Sequence, residues 1–129
     1  MAVTMNNTAR HAGLNAIADL MDGATLTIRT GSAPGAANTA TGTVLATITL
    51  PTPAFGAASS GVVALAGTWQ DASADATGTA GHWRMVATGG AILEGTVGTS
   101  GADLNVTSTS FVAPNPFSIT SFEINFTNG

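Results

Sequence analysis

The chain has 129 residues, of which 44% are hydrophobic and only 8% are charged, and it contains no cysteine. A chain of this length fits a single domain and can bury roughly two-thirds of its unfolded surface. The lack of cysteine excludes disulfides, thiolate nucleophiles and cysteine-bound metal centres. The formal charge is −4 with no lysine, so the chain would repel a phosphate backbone, and we expect no nucleic-acid partner.

Residues 1–6 are predicted to form a flexible arm and residues 7–22 one short helix. The apolar residues of the second segment recur at the spacing of one helix face: Leu14, Ile17, Ala18 and Met21. Gly23 follows where glycine commonly ends a helix. The arm lacks the charged and apolar parts of a secretory signal, and no apolar run reaches the roughly 18 residues of a membrane span. We therefore expect synthesis in the cytoplasm and no membrane partner.

Beyond the helix the hydrophobic period changes to two, which predicts half-buried strands bounded by Gly, Ser, Asn or Pro. The alternating segments are residues 25–29, 44–50, 62–66, 82–86, 91–97, 104–107 and 117–126. The long loop between the first two, residues 31–42, is expected to be exposed. Seven or eight strands without alternating helices predict an all-β fold, an antiparallel β-sandwich or jelly roll over residues 24–127, preceded by the one short helix.

The hydrophobic alternation of the last segment, residues 117–126, changes parity near residue 120. A bulge there would let the strand bend and switch sheets. Alternatively, both faces of the strand are buried, for example by a neighbouring subunit. The second explanation makes Phe122, Ile124 and Phe126 expected interface residues.

A polar loop supplies the other residues that we expect at an interface. Trp69 lies at its edge and is expected to be open enough to contact a partner or a ligand. Asp71 and Asp75 are expected to form turns in the loop and to complete the interface. The two Asp residues resemble the start of a calcium loop, but Ala76 and His82 stand where that motif needs glycine and a bidentate glutamate. No metal site is predicted.

Residue patterns typical of enzymes do not occur. The seven carboxylates are scattered, and Ser100 has no G-x-S-x-G motif around it. Residues 95–101 lack the spacing of a nucleotide-binding loop and instead predict a hairpin turn, with Asp103 bonded to the turn backbone. His82 is expected at the surface or at a sheet edge, beside a core Trp83. We predict a protein that is not an enzyme and has no cofactor.

Five segments carry a resemblance to a known class of proteins: residues 23–31 (GATLTIRTG), 41–48 (TGTVLATI), 83–84 (WR), 94–98 (EGTVG) and 101–104 (GADL). With them the chain resembles small structural proteins encoded beside the capsid genes of tailed bacteriophages. The resemblance implies a jelly-roll-like virion protein, above all a capsid decoration or cement protein. Such a protein bridges and stabilises major capsid protein subunits on the exterior of the head. It implies no active site.

Two further expectations follow from this resemblance. The alternative is a tail or fibre module that contacts a host glycan or another tail protein. In either case a homo-oligomer, dimer or trimer, is expected, because the arm at residues 1–6 and the loop at residues 31–42 can reach a neighbour and the last strand can be shared. The acidic charge agrees with an outer location away from DNA.

Overall fold

A computed structural model of the chain describes residues 3–126. The predicted arm and the predicted β-region therefore lie partly outside the described residues, at residues 1–2 and at residue 127. The described chain contains one helix and ten strands: α1 (Asn7–Leu20), β1 (Thr25–Thr30), β2 (Val44–Thr49), β3 (Val62–Ala64), β4 (Trp69–Asp71), β5 (Gly78–Val86), β6 (Ile92–Gly98), β7 (Leu104–Asn105), β8 (Ser110–Phe111), β9 (Phe117–Ile119) and β10 (Glu123–Asn125).

The helix forms where the apolar spacing predicts it and ends at Leu20 rather than at residue 22. Asn6 caps its first turn, because the side-chain oxygen accepts a hydrogen bond from the backbone N–H of Ala9 at 3.0 Å. Leu14 and Ala18 are buried on its inner face. Gly23 then takes φ +71°, a conformation that glycine adopts without steric cost, and the chain turns into β1.

The main sheet has the strand order β2-β1-β5-β6-β7, and β8 also pairs with β5. These pairings are antiparallel except that of β6 with β7, which is parallel, with Val97 opposite Leu104. The sheet is therefore mixed, and the expectation of a purely antiparallel arrangement is wrong at this pair. The hairpin predicted at residues 95–101 is also wrong, since after the turn the chain returns in the direction of β6.

Two small antiparallel sheets complete the structure, β10 with β3 and β4 with β9. The last predicted segment is thus divided at residues 120–122, and its halves pair with different strands. Of the two explanations for the change of parity, the structure shows the bend with a change of sheet.

An aromatic cluster joins the small sheets to the main sheet. The ring centroid of Phe122 lies 5.2 Å from that of Trp83, in an edge-to-face contact, and 5.7 Å from that of Trp69. Phe55 packs edge-on against Trp69 at 5.3 Å. Trp69 is 1% exposed, and its Nε1 donates to the carbonyl oxygen of Ala66 at 3.1 Å. The open position expected for Trp69 is therefore wrong, because its indole completes the core.

The expected surface position of His82 is also wrong. The residue lies on β5, between β1 and β6, and its side chain is fully buried. Its Nδ1 lies 2.9 Å from the carbonyl oxygen of Gly31, at the start of the loop of residues 31–42. Although most residues of this loop are exposed, as expected, its backbone covers polar side chains on one face of the main sheet.

Candidate functional site

Asp71 and Asp75, predicted at an interface, are bound to the outer edge of β2. One carboxylate oxygen of Asp71 accepts from the backbone N–H of Thr47 at 2.8 Å, and that of Asp75 accepts from the Thr47 hydroxyl at 2.7 Å. The N–H of Asp75 also donates to the carbonyl oxygen of Leu45 at 2.8 Å. Asp71 accepts from the N–H of Ser73 as well, which is the turn expected for it. The two aspartates thus protect a strand edge.

The other four predicted interface residues do not form one patch. Trp69 and Phe122 meet in the core, where both are buried. Phe126 is half-buried and packs against α1 at Gly13, where an added Cβ would lie 2.8 Å from its ring. Ile124 is also half-buried and lines a cleft. That any of the predicted residues contacts a partner stays a prediction.

This cleft, which we call the edge cleft, has a volume of about 500 Å³, within the range of ligand sites. It is lined by Leu93 and Glu94 of β6, by Asp103, by residues 122–125 and by Trp83. Two strands from different sheets, β6 and β10, therefore contribute to one concave surface. Both strands have an unpaired edge here.

The unpaired edge of β6 runs from Ile92 to Glu94. Further along, the backbone N–H of Thr96 donates to Asp103 Oδ2 at 3.0 Å, and β7 pairs with β6 at Val97 and the following residue. Ile92 and Glu94 have the same parity as Thr96, so their backbone N–H and C=O groups also point away from β5. Within residues 3–126 no strand pairs with these groups.

The unpaired edge of β10 is formed by Glu123 and Asn125. The carbonyl oxygen of Phe122 accepts from the N–H of Leu65 beside β3. Because hydrogen-bonding alternates along an antiparallel pair, the backbone groups of Glu123 and Asn125 point away from β3. No other strand in the described part of the chain pairs with β10.

Trp83 places a buried donor beside this cleft. Its side chain is 5% exposed, and its Nε1 has no acceptor among the described residues. The indole lies directly on Gly95, where an added Cβ would be 2.7 Å from Cζ2 and 2.8 Å from an oxygen of Asp103. The glycine therefore makes room for the ring, and the indole N–H stays buried without a hydrogen-bond acceptor among the described residues.

Glu94 brings no net charge to the cleft, because it pairs with Arg84. Arg84 Nε donates to Glu94 Oε2 at 2.8 Å, and the two side chains are only 5% and 4% exposed. Arg84 Nη2 also donates to the carbonyl oxygens of Gly35 and Asn38, and the N–H of Gly35 donates to Glu94 Oε1 at 2.7 Å. The pair therefore fastens the loop of residues 31–42 to the sheet.

The pKa of Glu94 reflects this arrangement. Burial raises the pKa, but the hydrogen bonds from Arg84 and from the Gly35 backbone, together with the electrostatic effects of Arg84 and His82, outweigh burial. The net result is a pKa below the ordinary glutamate value, so the carboxylate stays ionised in the fold.

Asp103 and Glu123 give the edge cleft its negative charge. Both residues are exposed, and neither forms an ion pair with a cation of the described chain. Asp103 accepts hydrogen bonds from the N–H and the hydroxyl of Thr96, whereas Glu123 has no side-chain hydrogen bond within residues 3–126. The cleft combines unpaired backbone groups, an apolar floor and two uncompensated carboxylates.

A second concave surface, the neutral groove, has a volume of about 710 Å³. It is lined mainly by residues 105–108, 110–112 and 115–120, none of which is charged. The rings of Phe111 and Phe117 lie 4.6 Å apart and form part of its wall. Its lining of hydroxyl, amide and aromatic groups can contact an uncharged polar ligand.

The described residues 3–126 hold no group of three or more His, Cys, Asp or Glu side chains that could bind a metal ion. In the same range no helix is long and apolar enough to cross a membrane. Comparison of the chain with protein-family models, with curated proteins and with solved structures finds no match.

Sequence reasoning missed most of the residues that line the edge cleft. One relation was accessible: the turn at residues 88–90 lies midway between two alternating segments, and a hairpin there places Arg84 opposite Glu94. No comparable signal exists for Asp103 and Glu123. These two residues lie near each other only because the edges of β6 and β10 beside them stay unpaired. The packing of the sheets determines which strand edges stay unpaired.

Proposed function

We propose that this chain is a virion structural protein of a tailed bacteriophage, a capsid decoration or cement protein that bridges major capsid protein subunits on the outside of the head. The observation that carries the proposal is the edge cleft, in which two sheets present unpaired backbone to one surface. An unpaired strand edge readily adds a strand from another chain. The resemblance of the sequence to phage structural proteins supplies the kind of partner.

The surface chemistry favours an assembly role. With 8% charged residues, the chain has few ions to desolvate when it contacts a protein shell. About 800 Å² buried on each partner is enough for a specific contact, and repetition over a capsid lattice multiplies the effect of each one. Many weak contacts could thereby stabilise a shell against internal pressure.

A β-sandwich or jelly roll and a homo-oligomer, dimer or trimer, belong to the same proposal. The edge-on contact of Phe122 with Trp83 supports two facing layers, since Phe122 lies between the small-sheet strands β9 and β10 and Trp83 belongs to the main sheet. An experimental structure of the assembled protein would test the layer arrangement and the subunit number together.

Co-sedimentation with expanded capsids of the parent phage tests the function. The purified protein should bind expanded capsids, and decorated capsids should release their DNA at a higher temperature than capsids that lack the protein. Unexpanded shells provide the control. Absence of binding, with equal heat resistance of decorated and undecorated capsids, would contradict the proposal.

The neutral groove favours a second function, a tail or fibre module that binds a host glycan. Sugars are commonly bound by aromatic faces together with uncharged hydrogen-bonding groups, and the groove offers both. A glycan array should then give binding that Asn115→Ala, an exposed groove residue, weakens and that Thr88→Ala, an exposed residue outside the groove, leaves unchanged. No glycan binding, or equal binding by both variants, would exclude this alternative.

A further inference from the structure

We infer that the edge cleft binds an extended, basic peptide segment as an added strand between β6 and β10. The inference deepens the proposed function and in part rests on it, because the segment is assigned to the major capsid protein. The unpaired backbone groups, the apolar floor and the charge of the cleft determine the chemistry of the occupant.

The backbone groups determine the conformation of the occupant. Ile92 and Glu94 on one strand, and Glu123 and Asn125 on the other, direct N–H and C=O groups away from their own sheets. An extended chain can bond to donors and acceptors that alternate at strand spacing, whereas a helix has used its own backbone groups. The cleft therefore selects a strand.

The floor of the cleft adds an apolar contact. Leu93 and Ile124 are half-buried, so a side chain of the added strand can pack on them. Trp83 also lines the cleft, and its ring extends this apolar surface. A strand that points alternate side chains inward can place an apolar side chain there.

The charge of the cleft selects a basic segment. Asp103 and Glu123 line it without an ion pair, and the carboxylate of Glu94 is already neutralised by Arg84. The chain itself has only three basic residues and carries −4. Lysine or arginine at the outward positions of the added strand would lie near the two carboxylates, whereas an acidic segment would be repelled.

A pair of model peptides tests the inference directly. The probe is a soluble peptide of about eight residues, a common strand length, that alternates Lys with Val or Thr, and its control replaces each Lys by Glu. Titration of the labelled protein, followed by NMR, should shift the amides of Ile92, Glu94, Glu123 and Asn125 and slow their hydrogen exchange. Only the basic peptide should cause these shifts and the slower exchange, and added salt should weaken its binding.

Two variants and one modified peptide distinguish strand addition from nonspecific electrostatic attraction. Glu123→Lys should weaken the basic peptide by about tenfold, whereas Asp19→Lys, the same charge change on an exposed helix position, should alter binding by about twofold or less. N-methylation at alternate residues removes backbone donors from the peptide and should abolish the slowed exchange. Equal binding by the methylated peptide, or equal effects of the two variants, would overturn the inference.

The same variants on capsids distinguish this inference from the proposed function. If the protein binds expanded capsids and Glu123→Lys weakens binding while Asp19→Lys does not, the proposed function and the inference about the cleft both stand. If the parent protein and both variants bind capsids equally, the proposed function stands and the edge cleft is not the contact. If none binds capsids but the basic peptide still adds as a strand, the chemistry of the cleft stands and its assignment to a capsid fails.

Discussion

Replacing Glu94 by glutamine tests whether a buried ion pair fastens the loop of residues 31–42 to the main sheet. Glutamine has nearly the same shape, and its carbonyl oxygen can still accept from the N–H of Gly35. Its NH₂ group, however, would face the Nε–H of Arg84, which now donates to a carboxylate oxygen at 2.8 Å. The guanidinium would stay buried without its carboxylate.

The size of the effect follows from the burial of Arg84. Removing one partner of a buried ion pair costs about 3–5 kcal/mol, because the remaining charge stays in a poorly solvated place. A single loop covers the pair, and Arg84 keeps its bonds to the carbonyl oxygens of Gly35 and Asn38. We therefore expect the lower end, about 3 kcal/mol. With a urea m-value of about 1.5 kcal/mol/M, the unfolding midpoint should fall by about 2 M.

Urea unfolding near neutral pH, followed by tryptophan fluorescence, measures this change. The control is Glu123→Gln, which removes the same charge from an exposed side chain without an ion pair in the described chain and should change the free energy of unfolding by less than about 0.5 kcal/mol. The double variant Arg84→Met with Glu94→Leu should regain most of the loss, since no charge then remains buried. Equal midpoints for Glu94→Gln and Glu123→Gln would refute the reasoning.

Three further predictions concern stability. Because the folded pKa of Glu94 lies below its ordinary value of 4.5, its contribution is complete above that pH and is lost as the pH falls through the folded pKa; urea midpoints measured between about pH 6 and pH 3 should drop less in Glu94→Gln than in the parent. Gly95→Ala forces a methyl group against Trp83 and should cost about 1–3 kcal/mol by urea unfolding, whereas Gly89→Ala, with open space around it, should not destabilise. Trp69→Ala should lower the free energy of unfolding by about 3–5 kcal/mol, and an unchanged value would contradict the burial of its ring.

Periodicity predicted the elements that are long enough to show it. The helix carries two turns of apolar spacing, and β1, β2, β5 and β6 are each six residues or longer and each include most of an alternating segment. The strands β4 and β8 contain three and two residues, too few for a period, and both were missed. Only their pairing partners, which are distant in sequence, make them strands.

Side-chain exposure was less predictable than secondary structure. Trp69 follows a polar turn, yet Phe55 and Phe122 close around it from segments before and after it in the chain. His82 alternates like any strand residue, and the order of the strands in the sheet, not the local sequence, places it under the loop that begins at Gly31. The edge cleft depends on the same tertiary information, because a sequence does not indicate which strand edges remain without a partner.

The carboxylates are distributed so that some strand edges are covered and the edge at the cleft is left open. Asp71 and Asp75 bond to the outer edge of β2, and Asp103 bonds to Thr96 near the end of β6, so these carboxylates replace a neighbouring strand. Next to the cleft, the carboxylate of Glu123 bonds to no backbone group of the described chain and contributes negative charge instead. Two copies that met cleft to cleft would bring these carboxylates together and repel each other, whereas a basic strand would be attracted. We therefore expect a symmetric contact between two copies of this chain, if it forms, to lie outside the edge cleft.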